Sequence, residues 1–370
     1  MRLRAPLFVA LLLAGVPALA DPYAWPLPDQ VPPPPVPADN PMSAAKVELG
    51  RHLFYDARLS RDGTVACASC HLQARAFTDG RAVSIGIGGE QGTKNAPSLA
   101  NVAYLPVLTW ANPHMTSLEF QALVPMFGEN PDEMGGVGQE AAIMAALAAD
   151  PYYQKAFAAA FPERPQPDLF TVTRALGAFQ RSLISVDSAY DRFKHGDKTA
   201  LSDAAQRGEQ LFFSEKMECY HCHGGLHFTD TLQTARMPQP EIGFHNTGLY
   251  EDYRAVPGLI EVTGRPQDAG RFRTPSLRNV AVTAPYMHDG SIADLRGVVA
   301  HYAQAGRAPG HPQKDPMIVG FKATEAETAD LIAFLESLTD ERFLSDPAHS
   351  DPWPEGHPAV VSRMMPAPPG

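Results

Sequence analysis

The chain has little that would serve a membrane, a disulfide framework or a nucleic acid. After the first 20 residues no apolar run approaches the ~20 residues that a spanning helix needs, so no membrane span is expected. Cysteine stops at four in 370 residues, and all four sit in two short motifs, leaving none for disulfides. Positive charge is in deficit, with 30 Lys and Arg against 41 Asp and Glu and a formal net charge of −11. That balance argues against nucleic acid and anionic lipid, and suits plain solubility or a neutral or basic protein partner. Strand signals are few, which sets aside sandwiches and barrels. Tryptophan is limited to Trp25, Trp110 and Trp353, and the first and last lie in proline-rich ends.

What is present is a pair of Cys-x-x-Cys-His motifs, Cys67-Ala68-Ser69-Cys70-His71 and Cys219-Tyr220-His221-Cys222-His223. At this spacing two thiols can each form a thioether with a haem vinyl group, and the adjacent imidazole reaches the iron. Zinc pairs usually lie closer in sequence, and a redox dithiol does not need the following histidine twice. The motifs therefore predict two covalently bound haem c groups. Cys67, Cys70, Cys219 and Cys222 are the attachment residues, and His71 and His223 are iron ligands. Residues 1–20 have the pattern of a cleavable signal peptide: Arg2 and Arg4, an apolar core, then Ala18-Leu19-Ala20. Its cleavage near Ala20 would release the chain into the periplasm.

Residues 21–41 hold nine prolines, including Pro32-Pro33-Pro34-Pro35, and read as a stiff, solvated arm; residues 346–370 form a similar tail. The length between them suggests two domains, over residues 42–195 and 196–345. A repeat supports the division: Leu49-Gly50-Arg51-His52-Leu53-Phe54 precedes the first motif, and Arg207-Gly208-Glu209-Gln210-Leu211-Phe212 the second. Helical periodicity runs through 141–161, 170–193, 294–303 and 324–338, with capping boxes expected at Ser291–Asp294 and Thr324–Glu327. The predicted fold class is mainly α: two cytochrome c-like helical domains with few short strands, each binding one haem. Leu295, Val298, Val299 and Tyr302 fall on one helix face, so Tyr302 points inward as a core tyrosine or as a ligand. His301 lies about 100° off that face.

Further segments give the chain a specific likeness: Arg75-Ala76-Phe77-Thr78-Asp79-Gly80, Asn95-Ala96-Pro97-Ser98-Leu99, Arg273-Thr274-Pro275-Ser276-Leu277-Arg278-Asn279 and Ala284-Pro285-Tyr286-Met287-His288-Asp289-Gly290. From about Pro41 to Thr339 the chain resembles the bacterial di-haem cytochrome c peroxidase superfamily, in its MauG-like branch. Val36-Pro37-Ala38-Asp39-Asn40-Pro41 and residues 118–129 are most similar to the MbnH-like di-haem enzymes linked to methanobactin biosynthesis.

The resemblance implies roles for individual residues. Ordinary members cap the first haem with a histidine in a Gly-His-Gly loop; the matching segment here is Gly86-Ile87-Gly88, and isoleucine has no lone pair. The first iron is then expected to be open. The distal acid/base of the family matches Glu133, with Gln121 and Pro125 lining the same pocket. Read from the residues alone, Glu133 is better taken as a solvated loop carboxylate, with Glu129 and Asp132 nearby. The distal ligand of the second haem matches Tyr302, where ordinary peroxidases place methionine; His301 and Met287 are the alternatives. Trp110 matches the tryptophan between the haems, and is otherwise a core aromatic. Asn95, Thr283 and Pro285 match an inter-domain calcium site. His288-Asp289 reads as organising that loop or a haem propionate, and His227, His245 and His311 as surface or structural histidines. MauG carries a surface tryptophan two residues before its second motif; Met217 stands there in this chain, so an exit would fall to Tyr220 or a nearby tyrosine.

Together these imply a periplasmic peroxidase-type oxidoreductase. It would use hydrogen peroxide to form a high-valent di-haem state that oxidises a small secreted or periplasmic protein, with conversion of tryptophan to kynurenine. The alternatives are a detoxifying cytochrome c peroxidase drawing electrons from a small redox protein, and a non-catalytic di-haem electron-transfer cytochrome. Ile87 and Tyr302 weigh against the first, and an open first haem against the second.

Overall fold

The two Gly-x-x-Leu-Phe copies fold as the ends of two helices, and their glycines explain the repeat. In the computed structural model, which describes residues 23–360, α1 (Ala44–Phe54) opens the first half. It is followed by α2 (Glu140–Ala148), α3 (Pro151–Ala160), α4 (Leu169–Ser182) and α5 (Ala189–Lys194). The second half has α6 (Asp203–Phe212), α7 (Leu295–Ala303) and α8 (Glu325–Glu336). A Cβ on Gly50 would stand 1.9 Å from the Ala175 carbonyl oxygen of α4, and one on Gly208 would stand 2.0 Å from the Asp330 carbonyl oxygen of α8. Each half is thus built on one close helix crossing at which only glycine fits.

Side-chain caps set the helix starts. Ser43, Asp168, Ser202 and Thr324 accept backbone N–H bonds at α1, α4, α6 and α8, and Glu327 completes the expected box with Thr324. The box expected from Ser291 is absent: Asp294 itself caps α7, accepting the Gly297 N–H at 2.7 Å. The run 141–161 is two helices, because Asp150-Pro151 ends one and starts the next. The run 170–193 is also broken, since residues 183–187 leave the helix.

Each half has its own apolar core. Leu49, Leu53, Phe54, Phe77, Phe157 and Phe179 anchor the first, and Phe212, Phe228, Val299, Phe334 and Leu335 the second. The described strands are only two residues each, β1 (Phe244–His245) and β2 (Phe272–Arg273), paired antiparallel with Phe244 opposite Arg273.

The proline-rich ends differ from the expected solvated arms. Val31 is buried with Tyr104, Ile184 and Val186, the Tyr104 hydroxyl donates to Pro32 O at 2.9 Å, and Asn40 is buried against Glu119. Trp353 packs on His52 and Tyr152, and Ala359 O accepts the Ala57 N–H. Polyproline backbone has no internal hydrogen bonds, so its carbonyls and interspersed apolar side chains are free to dock. The signal-peptide segment 1–20 lies outside the described residues. Among the described residues no helix is long and apolar enough to cross a membrane.

Candidate functional site

Both Cys-x-x-Cys-His motifs form a tight turn that presents the histidine ring inward. Cys67–Cys70 is one helical turn, and Cys219–His221 is its 3-10 counterpart. His71 Nδ1 lies 2.7 Å from Phe77 O, and His223 Nδ1 lies 3.1 Å from Phe228 O. Phe77 and Phe228 both take left-handed backbone, at φ 63° and 52°, which turns their carbonyls toward the rings. Burial holds both imidazoles below the ordinary histidine range, hence neutral, with Nδ1–H donated and Nε2 left as the donor toward a metal. All four thiols are free of disulfides.

The repeat extends further than the helix copies. Phe-Thr-Asp recurs at Phe77–Asp79 and Phe228–Asp230, and Pro-Ser-Leu-x-Asn at Pro97–Asn101 and Pro275–Asn279. Ser98 Oγ donates to Ala76 O and Ser276 Oγ to His227 O, each at 2.6 Å. Asn101 and Asn279 both sit at φ 60°, starting matched short helices. These pairs were a second signal for two equivalent sites.

A cavity of about 340 Å³ lies beside the second motif, walled by Cys219, Cys222 and His223. Leu295, Val298, Val299 and Tyr302 of α7 form part of its wall, so the inward face read from their spacing is the cavity face. Burial first, then the Cys222 and Cys219 sulfurs, push the Tyr302 hydroxyl well up, so it stays a phenol unless a cation faces it. His301 turns away from the cavity. It is 1% exposed, with Nε2 3.1 Å from Thr247 O. Met287 does line the cavity.

Arg273 is the residue that motif reasoning missed. It lines the same cavity and is 3% exposed, its guanidinium donates only to the Thr109 and Thr274 carbonyls, and it has no carboxylate ion pair among the described residues. Burial lowers its pKa to about 10. A buried cation facing an open cavity suits an anionic group such as a haem propionate. His245, read earlier as structural, is clamped between Asp230 and Asp315 at 2.6 Å on each side. Burial opposes its charge, but the two carboxylates prevail and push it up to about 12.

Trp110 lies where the halves meet, nearly buried, its indole N–H donating to Asn95 O at 2.8 Å and its ring 5.9 Å from the Arg273 guanidinium. Asn95 and the distant Thr283 and Pro285 line the same cavity as Trp110. His288 stacks on Phe272 with ring centroids 3.6 Å apart, and Asp289 accepts from the Tyr250 hydroxyl.

On the first motif's side, Gly86-Ile87 packs directly on Asp132-Glu133. Ile87 N–H donates to Glu133 O at 2.9 Å, and a Cβ on Gly86 would meet Asp132 O at 2.3 Å. Glu133 is part-buried without an ion-pair partner among the described residues, and burial raises its pKa above the ordinary glutamate range. Its charge raises the pKa of both the Cys67 and Cys70 thiols, though less than their burial does. Glu129 is exposed, and Asp132 pairs with Arg61 at 3.4 Å. Gln121 ends a short turn, half-buried, and no hydrogen bond joins it to Glu133 among the described residues.

Comparison with known proteins agrees with this geometry. Residues 44–199 match the family model of the di-haem cytochrome c peroxidases, and residues 205–339 that of cytochrome c. The chain is 38% identical over 372 residues to the cytochrome-c peroxidase IdrP1 of Denitromonas iodatirespirans, covering 95% of each chain. It is 34% identical over 307 residues to the methylamine utilization protein MauG of Methylorubrum extorquens, covering 83% of this chain and 82% of that one. A crystal structure of a MauG-like protein associated with microbial copper homeostasis superimposes with a TM-score of 0.87 at 49% identity, covering 90% of this chain and 100% of that one.

Proposed function

Since the chain belongs to the di-haem cytochrome c peroxidase family, a group of peroxidase-type oxidoreductases with haem c, we propose that it uses hydrogen peroxide to oxidise a partner protein. The observation that carries this reading is Tyr302, an oxygen donor on the cavity wall shared with Cys219, Cys222 and His223. The donor set fits two haems: paired thiols, neutral imidazoles anchored at Nδ1, and an unpaired buried Arg273 for a propionate. Cys67 and Cys70 would attach the first and Cys219 and Cys222 the second, with His71 and His223 as ligands. When bound, haem iron supplies cleavage of peroxide and storage of two oxidising equivalents.

The chain's own residues supply the rest. Ile87 offers no lone pair, so the face beside Glu133 stays open to peroxide. The raised Glu133 carboxyl is suited to take a proton from one peroxide oxygen and deliver it to the other. Tyr302 Oη would release its proton to solvent only with a cation facing it, and as phenolate it would favour the oxidised state of the second site. Trp110, fixed by its N–H bond to Asn95 O and shielded from water, would carry charge between the sites. The oxygens of Asn95, Thr283 and Pro285 would hold calcium at the same junction. Export to the periplasm, a small secreted partner and tryptophan oxidation toward kynurenine complete the reading.

The rival is a detoxifying peroxidase fed by a small redox protein, and the IdrP1 relative bears a peroxidase name. Two measurements separate them. Peroxide added to the holoprotein with the product of its neighbouring gene should raise the partner's mass by oxygen increments; turnover supported only by a reduced redox protein, with no mass change, sinks the proposal. EPR of Tyr302→Phe should lose or shift the low-spin ferric signal. An unchanged signal there, with its loss in Met287→Leu, moves the ligand to methionine and restores the rival.

A further inference from the structure

The protein-oxidation reading needs a route from the second site to the surface, and Met217 does not provide one: it is 5% exposed and packed in the second core. Tyr220 stands between Cys219 and Cys222, one peptide bond from an attachment thiol, and is only part-buried. Its ring lies 4.2 Å from the exposed His221 ring and 6.3 Å from Phe213, whose side chain is 40% exposed. Its hydroxyl donates to Glu215 Oε1 at 2.5 Å. Glu215 is exposed and, with Lys216, Glu218 and His221, rims the cavity of the second site. Tyr286, which also lines that cavity, donates instead to the Val280 carbonyl, a group that cannot take up a proton at ordinary pH.

We propose that Tyr220 is the exit for oxidising equivalents, with Glu215 as the acceptor of its proton. The inference rests on the protein-oxidation reading above. A phenol is oxidised readily only when its proton leaves with the electron, and a hydrogen-bonded carboxylate makes that possible. Tyr220 gives one electron toward the second site while its hydroxyl proton passes to Glu215 Oε1. A neutral phenoxyl radical and a neutral carboxyl result. An oxidisable side chain of a protein docked over Phe213 and Tyr220, an indole or a phenol, then gives one electron to the ring, and Glu215 returns the proton. Two such cycles discharge the two equivalents carried by one hydrogen peroxide.

The test uses the holoprotein with both haems attached, one equivalent of hydrogen peroxide and no partner. Frozen samples are read by EPR, and a nitroso spin trap is mapped by peptide mass spectrometry. The unaltered protein should give a tyrosyl signal, narrowed by ring-deuterated tyrosine, and a trap adduct on the peptide carrying Tyr220. Tyr220→Phe keeps the ring packed on Phe213 and should lose both. Glu215→Gln should lower radical yield by roughly tenfold or more, and Glu215→Asp should recover part of it. An undiminished tyrosyl signal in Tyr220→Phe, or an adduct confined to another tyrosine in the unaltered protein, overturns the proposal. With partner present, an unimpaired mass shift in Tyr220→Phe overturns the exit while leaving protein oxidation intact. A Tyr220 radical without any partner mass shift overturns protein oxidation while leaving the exit.

Discussion

At the scale of single residues, Glu133 and Asp132 are neighbours with opposite electrostatics, and that difference separates their effects. Glu133→Gln should slow the reaction with peroxide by roughly 10²-fold, read by stopped-flow absorbance, with both haems still attached. Asp132→Asn, which touches only the Arg61 pair, should do much less. Because burial raises the Glu133 pKa above 4.5, the rate should fall on acidification with a midpoint above the usual glutamate range. Glu133→Gln should flatten that profile. The paired Cys-x-x-Cys-His turns and the inward face of Tyr302 were legible because motif spacing and helical periodicity are local. The partner of His301 was not legible, because Thr247 lies in a remote loop. Arg273 was legible as part of a segment but not as an unpaired cation, because absence of a partner is a property of the folded state. The carboxylates that clamp His245 converge from positions 230 and 315, which no local pattern announces.

At the scale of elements, the paired glycines make a sharp prediction. Ala usually stabilises a helix interior over Gly by about 1 kcal/mol. Here the sign should reverse, since the new Cβ would meet backbone at 1.9 Å in Gly50→Ala and at 2.0 Å in Gly208→Ala. Each should lose about 1–3 kcal/mol or more in denaturant unfolding, because helix backbones must separate. A gain in stability in either variant would mean that the crossing is looser than described. The longer helices were legible, but short ones such as Leu123–Phe127 and Glu341–Ser345 and several helix ends were not. Residues 183–187 kept the apolar character of the preceding helix because Leu183, Ile184 and Val186 are buried outside any helix. Periodicity cannot distinguish those two ways of burying a short apolar run.

At the scale of the whole molecule, the clamp on His245 ties the second half together by charge. Its pKa is raised by folding, so the stability it contributes is fully present below the unfolded value of ~6.5 and fades as pH climbs toward about 12. Unfolding of His245→Gln should show a deficit relative to the unaltered protein at about pH 6 that narrows by about pH 9. A constant deficit would mean that the imidazole is neutral in the fold. The number of halves was legible from the motifs and the repeat. The docked ends were not, because a proline run states its stiffness but not which surface it lies on. The glycine crossings also imply an order of assembly. Gly50 meets Ala175 and Gly208 meets Asp330, partners roughly 120 residues apart, and each attachment motif lies inside the loop that its crossing closes. As the chain emerges N-terminus first, the thiols of each half are presented long before the helix that seals them arrives. A chain cut short before α8 would therefore carry the second motif without the helix that closes its glycine crossing.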